Sequence, residues 1–208
     1  MNFDFSVSSV IETPAVHKPI LTPTRLNNAA RTLEAMGWRR SAAGTEDFSV
    51  GVEAFLNCIF SDPPKGLLIS GASGVGKTAF AKAVLGAFLA HTVRKPLTLN
   101  LSDPETLALI DYEREPDIVE EFCSRSLILD DLGAERAQSN FGQPREIAAE
   151  FIMRYHEKCS GHRLFVTTNL TGAELLARYQ QRAVTRLTDL MHFVKFTGAS
   201  KRGNGGAA

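Results

Sequence analysis

Gly-Ala-Ser-Gly-Val-Gly-Lys-Thr at 71–78 fits G-x-x-x-x-G-K-[ST] without a gap. Each position has a physical reason. Glycine lets consecutive main-chain N–H groups turn inward and approach an anion closely. Those N–H groups stand where a helix is expected to open, and there the aligned peptide dipoles also favour negative charge. Lys77 is placed to reach the β- and γ-phosphates of a nucleotide, and Thr78 to offer its hydroxyl to Mg²⁺. The alternative is a glycine-rich strand-to-helix turn with no ligand. An apolar strand before the loop and a helical pattern after it favour the phosphate reading. Gly71, Ser73, Gly74, Val75, Gly76, Lys77 and Thr78 are therefore candidate ATP-binding residues.

A second constellation lies downstream. Leu-Ile-Leu-Asp-Asp at 127–131 is an apolar strand ending in adjacent carboxylates. Side chains at the C-terminal edge of a parallel sheet emerge beside such a loop. Asp130 is then placed to hold Mg²⁺ with Thr78, and Asp131 to orient or deprotonate an attacking water. On its own, an acidic pair after a strand often does no more than cap the next turn. A further strand, 163–167, ends at Thr168-Asn169. Asn169, with Thr168 second, is the candidate to touch the γ-phosphate or the water; the plain alternative is an asparagine turn. Arg182 and Arg186 are four apart and share a helix face. They suit transition-state charge at a neighbouring subunit's site, or a solvated basic face with ordinary ion pairs. Arg202 is a further contact candidate or part of a frayed tail.

The elements that must position these groups alternate. Strands are expected at 65–70, 96–101, 126–129, 163–167 and 192–196. Helices are expected at 78–90, 105–110, 116–122, 143–158 and 172–191. Strands alternating with helices imply a mostly parallel sheet covered on both faces, an α/β fold. Residues 1–23 read as a flexible arm rich in Ser, Thr and Pro. Residues 24–62 read as a helical segment and linker: helices at 23–36 and 50–59, with 41–46 as connector. The ATPase domain then spans 63–202, and 203–208 is a Gly/Ala-rich tail expected to be disordered.

Bulk properties narrow the function classes. The 208 residues suit one sizeable core. Formal net charge is zero, whereas a chain that coats nucleic acid carries a basic excess. Any DNA contact is then local, weak or supplied by an oligomer. No apolar run approaches the roughly 18 residues of a membrane span, and no secretory leader is visible at 1–10. Cys58, Cys123 and Cys159 are scattered and odd in number. They are expected to be reduced thiols in or near the core of a cytoplasmic protein.

From about Leu67 to Arg202 the chain resembles AAA+ ATPases of the bacterial DnaC/DnaI helicase-loader type. It is also similar to IstB-type transposition helpers. The matching residues are 71–78, Leu-Ile-Leu-Asp-Asp-Leu-Gly-Ala-Glu at 127–135 and Ile-Met-Arg-Tyr at 152–155. Val-Thr-Thr-Asn-Leu at 166–170, Arg-Ala-Val-Thr-Arg-Leu at 182–187 and Gly-Ala-Ser-Lys-Arg at 198–202 complete the set. The resemblance implies a three-layer P-loop NTPase core whose five parallel strands run in the order 5-1-4-3-2. It implies that Asn169 is the sensor residue, that Arg186 is the finger acting on a neighbouring subunit, with Arg182 one turn earlier, and that Arg202 closes the nucleotide site. It implies ATP and Mg²⁺ as cofactors, an ATP-dependent oligomer, a replicative helicase as partner and weak single-stranded DNA binding. Asp131 stands where the wider class commonly has Glu, so slow hydrolysis is expected. A transposition helper and a small-molecule kinase are the alternative functions; an acceptor pocket and activity as a monomer would mark the kinase.

Overall fold

The computed structural model describes residues 21–90, 97–111, 113, 117–123, 125–136, 138–140, 143–159 and 163–200. The arm at 1–20, Pro96, Pro116, Arg202 and the tail at 203–208 lie outside the described residues.

Three helices come first: α1 (Pro23–Ala35), α2 (Arg40–Ala43) and α3 (Thr45–Phe60). The Thr22 hydroxyl accepts from Arg25 N to cap α1, and Pro23 occupies the first helical turn, where its missing N–H costs nothing. The core follows as β1 (Gly66–Ser70), α4 (Lys77–Leu89), β2 (Leu97–Asn100), α5 (Pro104–Ile110), α6 (Ile118–Cys123) and β3 (Leu127–Leu132). A short antiparallel hairpin, β4 (Gln138–Asn140) and β5 (Gln143–Arg145), precedes α7 (Ile147–Lys158). Then come β6 (Leu164–Thr168), α8 (Gly172–Leu190) and β7 (Met191–Lys195).

Five strands pair in the order β2-β3-β6-β1-β7, all parallel. Counted along the chain without the hairpin, that is the expected 5-1-4-3-2. Every residue of β1 and β6 is buried, as a central strand covered on both faces requires. The period of two then divides the core. Leu67 and Ile69 of β1 join α1, α3 and α4 on one face, while Leu68 joins α5, α6, α7 and α8 on the other.

The first face includes the N-terminal helices. Trp38 stacks on Phe48 of α3 and Phe196 after β7, with ring centroids 5.0 and 5.8 Å away, and lies 4.5 Å from the Phe80 ring of α4. Asp47 of α3 is 3% exposed yet satisfied: its carboxylate accepts from Thr197 N at 2.9 Å and Gly198 N at 3.0 Å. The segment leaving β7 is thereby tied to α3. It also passes so close to the loop after β1 that a Cβ on Gly71 would lie 2.6 Å from the Phe196 carbonyl oxygen.

Three local expectations change. Residues 41–46, expected as a connector, lie in α2, a brief junction and the first turn of α3. The α7 helix begins at Ile147 rather than Gln143, because 143–145 pair in the hairpin. Arg145 anchors that hairpin to the body, meeting Asp111 at 2.9 Å and Glu150 at 2.6 Å. The cysteines are not all reduced: Cys123, ending α6, and Cys159, capping α7, are disulfide-bonded, with Cα atoms 5.0 Å apart. Their sequence separation of 36 hides a proximity that only the packing of α6 on α7 creates. Cys58 is free and buried, and burial pushes its thiol up to about 12, as suits an inert core thiol. Among the described residues no helix is long and apolar enough to cross a membrane.

Candidate functional site

The C-terminal edge of the sheet carries the site. Between β1 and α4 the chain turns through Gly74 and Gly76, whose φ values of +83° and +102° are open to glycine at little cost. Gly76 leads directly into α4, and Lys77 and Thr78 form its first turn. Ser73, Gly74, Gly76, Lys77, Thr78, Ala79, Asp131 and Asn169 line one cavity of about 280 Å³. Pockets for whole small molecules run from roughly 300 Å³ upward. The size therefore suits the phosphate end of a nucleotide. Val75 differs from its neighbours: its side chain is buried in the core, so contact with a ligand falls to its main chain.

Lys77 is 5% exposed. Its ammonium donates to the Gly71 carbonyl at 2.8 Å, the Ala72 carbonyl at 2.9 Å and Asn169 Oδ1 at 2.7 Å. A buried ammonium has three donors to satisfy, and here the loop's own carbonyls and the end of β6 satisfy them. The contact joins two candidates that are 92 positions apart in sequence.

Asp130 collects hydroxyls. Thr78 Oγ1 donates to Asp130 Oδ1 at 2.8 Å, and Thr167 Oγ1 donates to the same oxygen at 2.6 Å. Thr167 Oγ1 also accepts from Asp131 N at 3.0 Å. One hydroxyl, in a residue with no solvent exposure, thus locks both aspartates. A threonine hydroxyl beside a carboxylate is a hard oxygen pair that fits Mg²⁺, which takes one or two protein oxygens and completes its shell with water and phosphate. Thr78 Oγ1 and Asp130 Oδ1, 2.8 Å apart, are the oxygens that would hold it.

Asp131 sits at φ +62°, a left-handed conformation uncommon outside glycine. The β3–β6 register slips there: Leu129 pairs with Val166, yet Leu132 pairs with Thr168. Three steps on one strand match two on the other, a bulge of one residue that re-aims the chain. Asp130 stays against Thr78 while Asp131 lines the cleft. Thr168, the second choice after Asn169, points elsewhere: it donates to the Leu132 carbonyl at 2.6 Å and accepts from Leu170 N. Thr167 is the residue that sequence reasoning missed.

Arg182 and Arg186 are not brought to this cleft. Both lie on α8 beyond Gln180, whose φ of 62° and ψ of 165° break the helix internally. The Arg182 side chain is 75% exposed and 4.0 Å from Glu157. Arg186 lies 3.5 Å from Asp189, which His156 also approaches at 3.5 Å. These are long, exposed pairs, and contribute little to stability.

The fold and the phosphate-loop geometry define an AAA+ type of P-loop architecture. The chain superposes on the crystal structure of the DnaC helicase loader with a TM-score of 0.53 at 18% identity, covering 72% of this chain and 90% of that one. A crystal structure of DnaI gives 0.48 at 23% identity, covering 67% and 73%. NtrX from Brucella abortus in complex with ATP gives 0.48 at 18% identity, covering 86% and 38%. No family model and no curated protein matches the sequence. The chain thus has the DnaC-type AAA+ fold.

Proposed function

We propose that this chain is an ATP-switched loader of a replicative DNA helicase, acting as an oligomer in the cytoplasm. The observation that carries the ATPase half is the convergence of Lys77, Thr78, Asp131 and Asn169 on one cleft, with Asp130 held behind them. The partner half rests on likeness of fold to a protein described as a helicase loader.

In this reading the N–H groups of 71–78 cradle the phosphates of ATP, and Lys77 exchanges the Gly71 and Ala72 carbonyls for phosphate oxygens. Asn169, already bonded to Lys77, then senses the γ-phosphate. Thr78 and Asp130 would hold Mg²⁺, which when bound would supply neutralising charge to the phosphates. Asp131 orients the attacking water. Its side chain is one methylene shorter than glutamate, which favours slow turnover and a long-lived ATP state. No cation of α8 beyond Gln180 reaches this cleft, so Arg186 of a neighbouring copy supplies the transition-state charge, with Arg182 beside it. DNA contact is weak, consistent with zero net charge.

The test is a pull-down from host lysate with the Asp131→Asn chain held in ATP. Recovery of a replicative helicase supports the loader. Recovery of a transposase replaces it with the transposition helper. Recovery of neither removes the partner half and leaves an ATP switch.

A further inference from the structure

We propose that Arg178, acting with Glu135 and Tyr179, is a positioning residue that holds the turn at 131–135 and so sets the place of Asp131 in the cleft. This rests on the reading of Asp131 as the water-orienting carboxylate.

The turn after β3 has little of its own to fix it. Ala134 N donates to the Asp131 carbonyl at 2.9 Å, which closes the turn on Asp131 itself. Its start is held from β6, where Thr167 accepts from Asp131 N and Thr168 donates to the Leu132 carbonyl; from Gly133 onward the hold comes from Glu135 and from α8. Glu135 is 5% exposed. Its Oε2 accepts from Gly133 N at 2.7 Å, and its Oε1 accepts from the Tyr179 hydroxyl. Arg178 donates to the main-chain carbonyls of both Gly133 and Glu135, and its guanidinium lies 3.5 Å from Glu135 Oε1. It also meets Glu146, the residue preceding α7, at 3.2 Å. Burial and the Glu135 charge push the Tyr179 phenol far above its ordinary range, so it remains a neutral donor at any working pH.

Helix packing alone does not call for this. The α8 helix already contributes Leu175, Ala183, Val184 and Leu187 to the core. A buried carboxylate is costly unless it is paired, and apolar residues of similar volume pack as well or better. What the charged set adds is direction. A guanidinium presents its donors in a rigid fork, which matches two neighbouring carbonyls of one turn; an ammonium does not. The bonds fall on the main chain of Gly133 and Glu135, within four residues of an aspartate held at φ +62°. A conformation of that kind persists only where its surroundings over-determine it.

The break at Gln180 decides what the brace serves. Arg178 and Tyr179 precede it; Arg182 and Arg186 follow it. The first part of α8 therefore bonds to the Asp131 turn of its own subunit. The second part packs Ala183, Val184 and Leu187 into the core and carries the exposed arginines. Loss of the brace then lowers turnover equally in dilute and concentrated protein.

The experiment uses the full chain. Steady-state ATP turnover, affinity for a fluorescent ATP analogue and thermal melting are measured for Arg178→Met, Arg178→Lys and Tyr179→Phe, with Lys77→Ala as reference. Arg178→Met is expected to lower kcat by about tenfold or more, with nucleotide affinity within about twofold and the loss constant across protein concentration. Arg178→Lys restores only a small part. Tyr179→Phe, which keeps the ring and the fold, lowers kcat by about threefold. An unchanged kcat in folded Arg178→Met or in Tyr179→Phe overturns the brace. So does a fall of kcat and affinity together, in step with loss of folded protein. Absence of turnover in the unsubstituted chain, or turnover undiminished in Lys77→Ala, overturns the ATPase reading and the brace with it.

Discussion

The phosphate cleft and the arginine-bearing end of α8 are built on opposite terms. In the cleft Lys77, Thr78, Asp130 and Asn169 are each held by a side chain from a different element. Lys77 of α4 meets Asn169 beyond β6, and Thr78 of α4 and Thr167 of β6 share one oxygen of Asp130 on β3. At the end of α8, the Arg182 and Arg186 side chains are 75% and 35% exposed, with one carboxylate each at 4.0 and 3.5 Å. Ordering a long side chain costs conformational entropy, so a site built to act without help immobilises its groups in advance. A site completed by another molecule leaves part of itself loose. On the proposed reading, the difference separates what one subunit does by itself from what an assembly would complete.

The largest effect tests the self-built side. Lys77→Ala removes the buried charge and is expected to weaken ATP affinity by about a hundredfold or more and to abolish turnover at any protein concentration. Equilibrium binding of a fluorescent ATP analogue reads this directly; unchanged affinity would remove the cleft assignment. Arg186→Ala tests the other side. It is expected to spare nucleotide binding and to lower kcat by about a thousandfold, the lower end of the range for arginine fingers. The diagnostic is concentration: wild-type specific activity rises with protein concentration, while that of the variant stays flat. If the two profiles coincide, the comparison itself collapses, because α8 then contributes nothing in trans.

Thr167→Val is a smaller and finer probe. The shape is kept, but Asp130 loses a donor and Asp131 N loses its acceptor, both at a side chain with no solvent exposure. The loss of a hydrogen bond to a charged group, about 1.5–3 kcal/mol, predicts roughly tenfold or more off kcat. Thr167→Ser is expected to restore most of it. The loss should be independent of protein concentration, as for any residue of the self-built cleft. A folded Thr167→Val with full kcat would show that the Asp130–Asp131 pair holds its own geometry.

Why Thr167 escaped the sequence while Lys77 did not is a matter of which physics is local. The phosphate loop depends on glycines and on the strand and helix that flank it, all within a few residues. The strands were legible for the same reason: Leu-Leu-Ile at 67–69 and Leu-Ile-Leu at 127–129 are short apolar runs of doubly covered strands. Choosing between two adjacent threonines requires the register of β6 against β3, and that register is reset by the bulge at Asp131. Nothing local announces an aspartate at positive φ. Residues 143–145, the second strand of the hairpin, read as the start of a helix, because their pairing with 138–140 is not visible in the local pattern. Asp47, Arg178 and the Cys123–Cys159 pair find their partners across 150, 45 and 36 positions respectively. Those contacts exist only once the sheet has placed the helices.

The smallest predicted effect lies at the junction of the two regions. His192 follows the end of α8 and pairs with Leu67 in the sheet. Its Nε2 is buried with no hydrogen-bond partner among the described residues. Burial, and then the nearby Lys65 charge, lower its pKa below the ordinary 6.5. A lowered folded-state pKa means that the unfolded chain binds the proton more readily. The stability this histidine contributes is then complete above the unfolded value near 6.5 and is lost as pH falls toward the folded value. Denaturant midpoints measured between pH 7.5 and 5.5 should fall more steeply for the wild type than for His192→Phe, by less than about 1 kcal/mol over that range. Equal slopes would mean that the ring finds a proton acceptor in solution, and that the anchor of the arginine-bearing helix is looser than its burial implies.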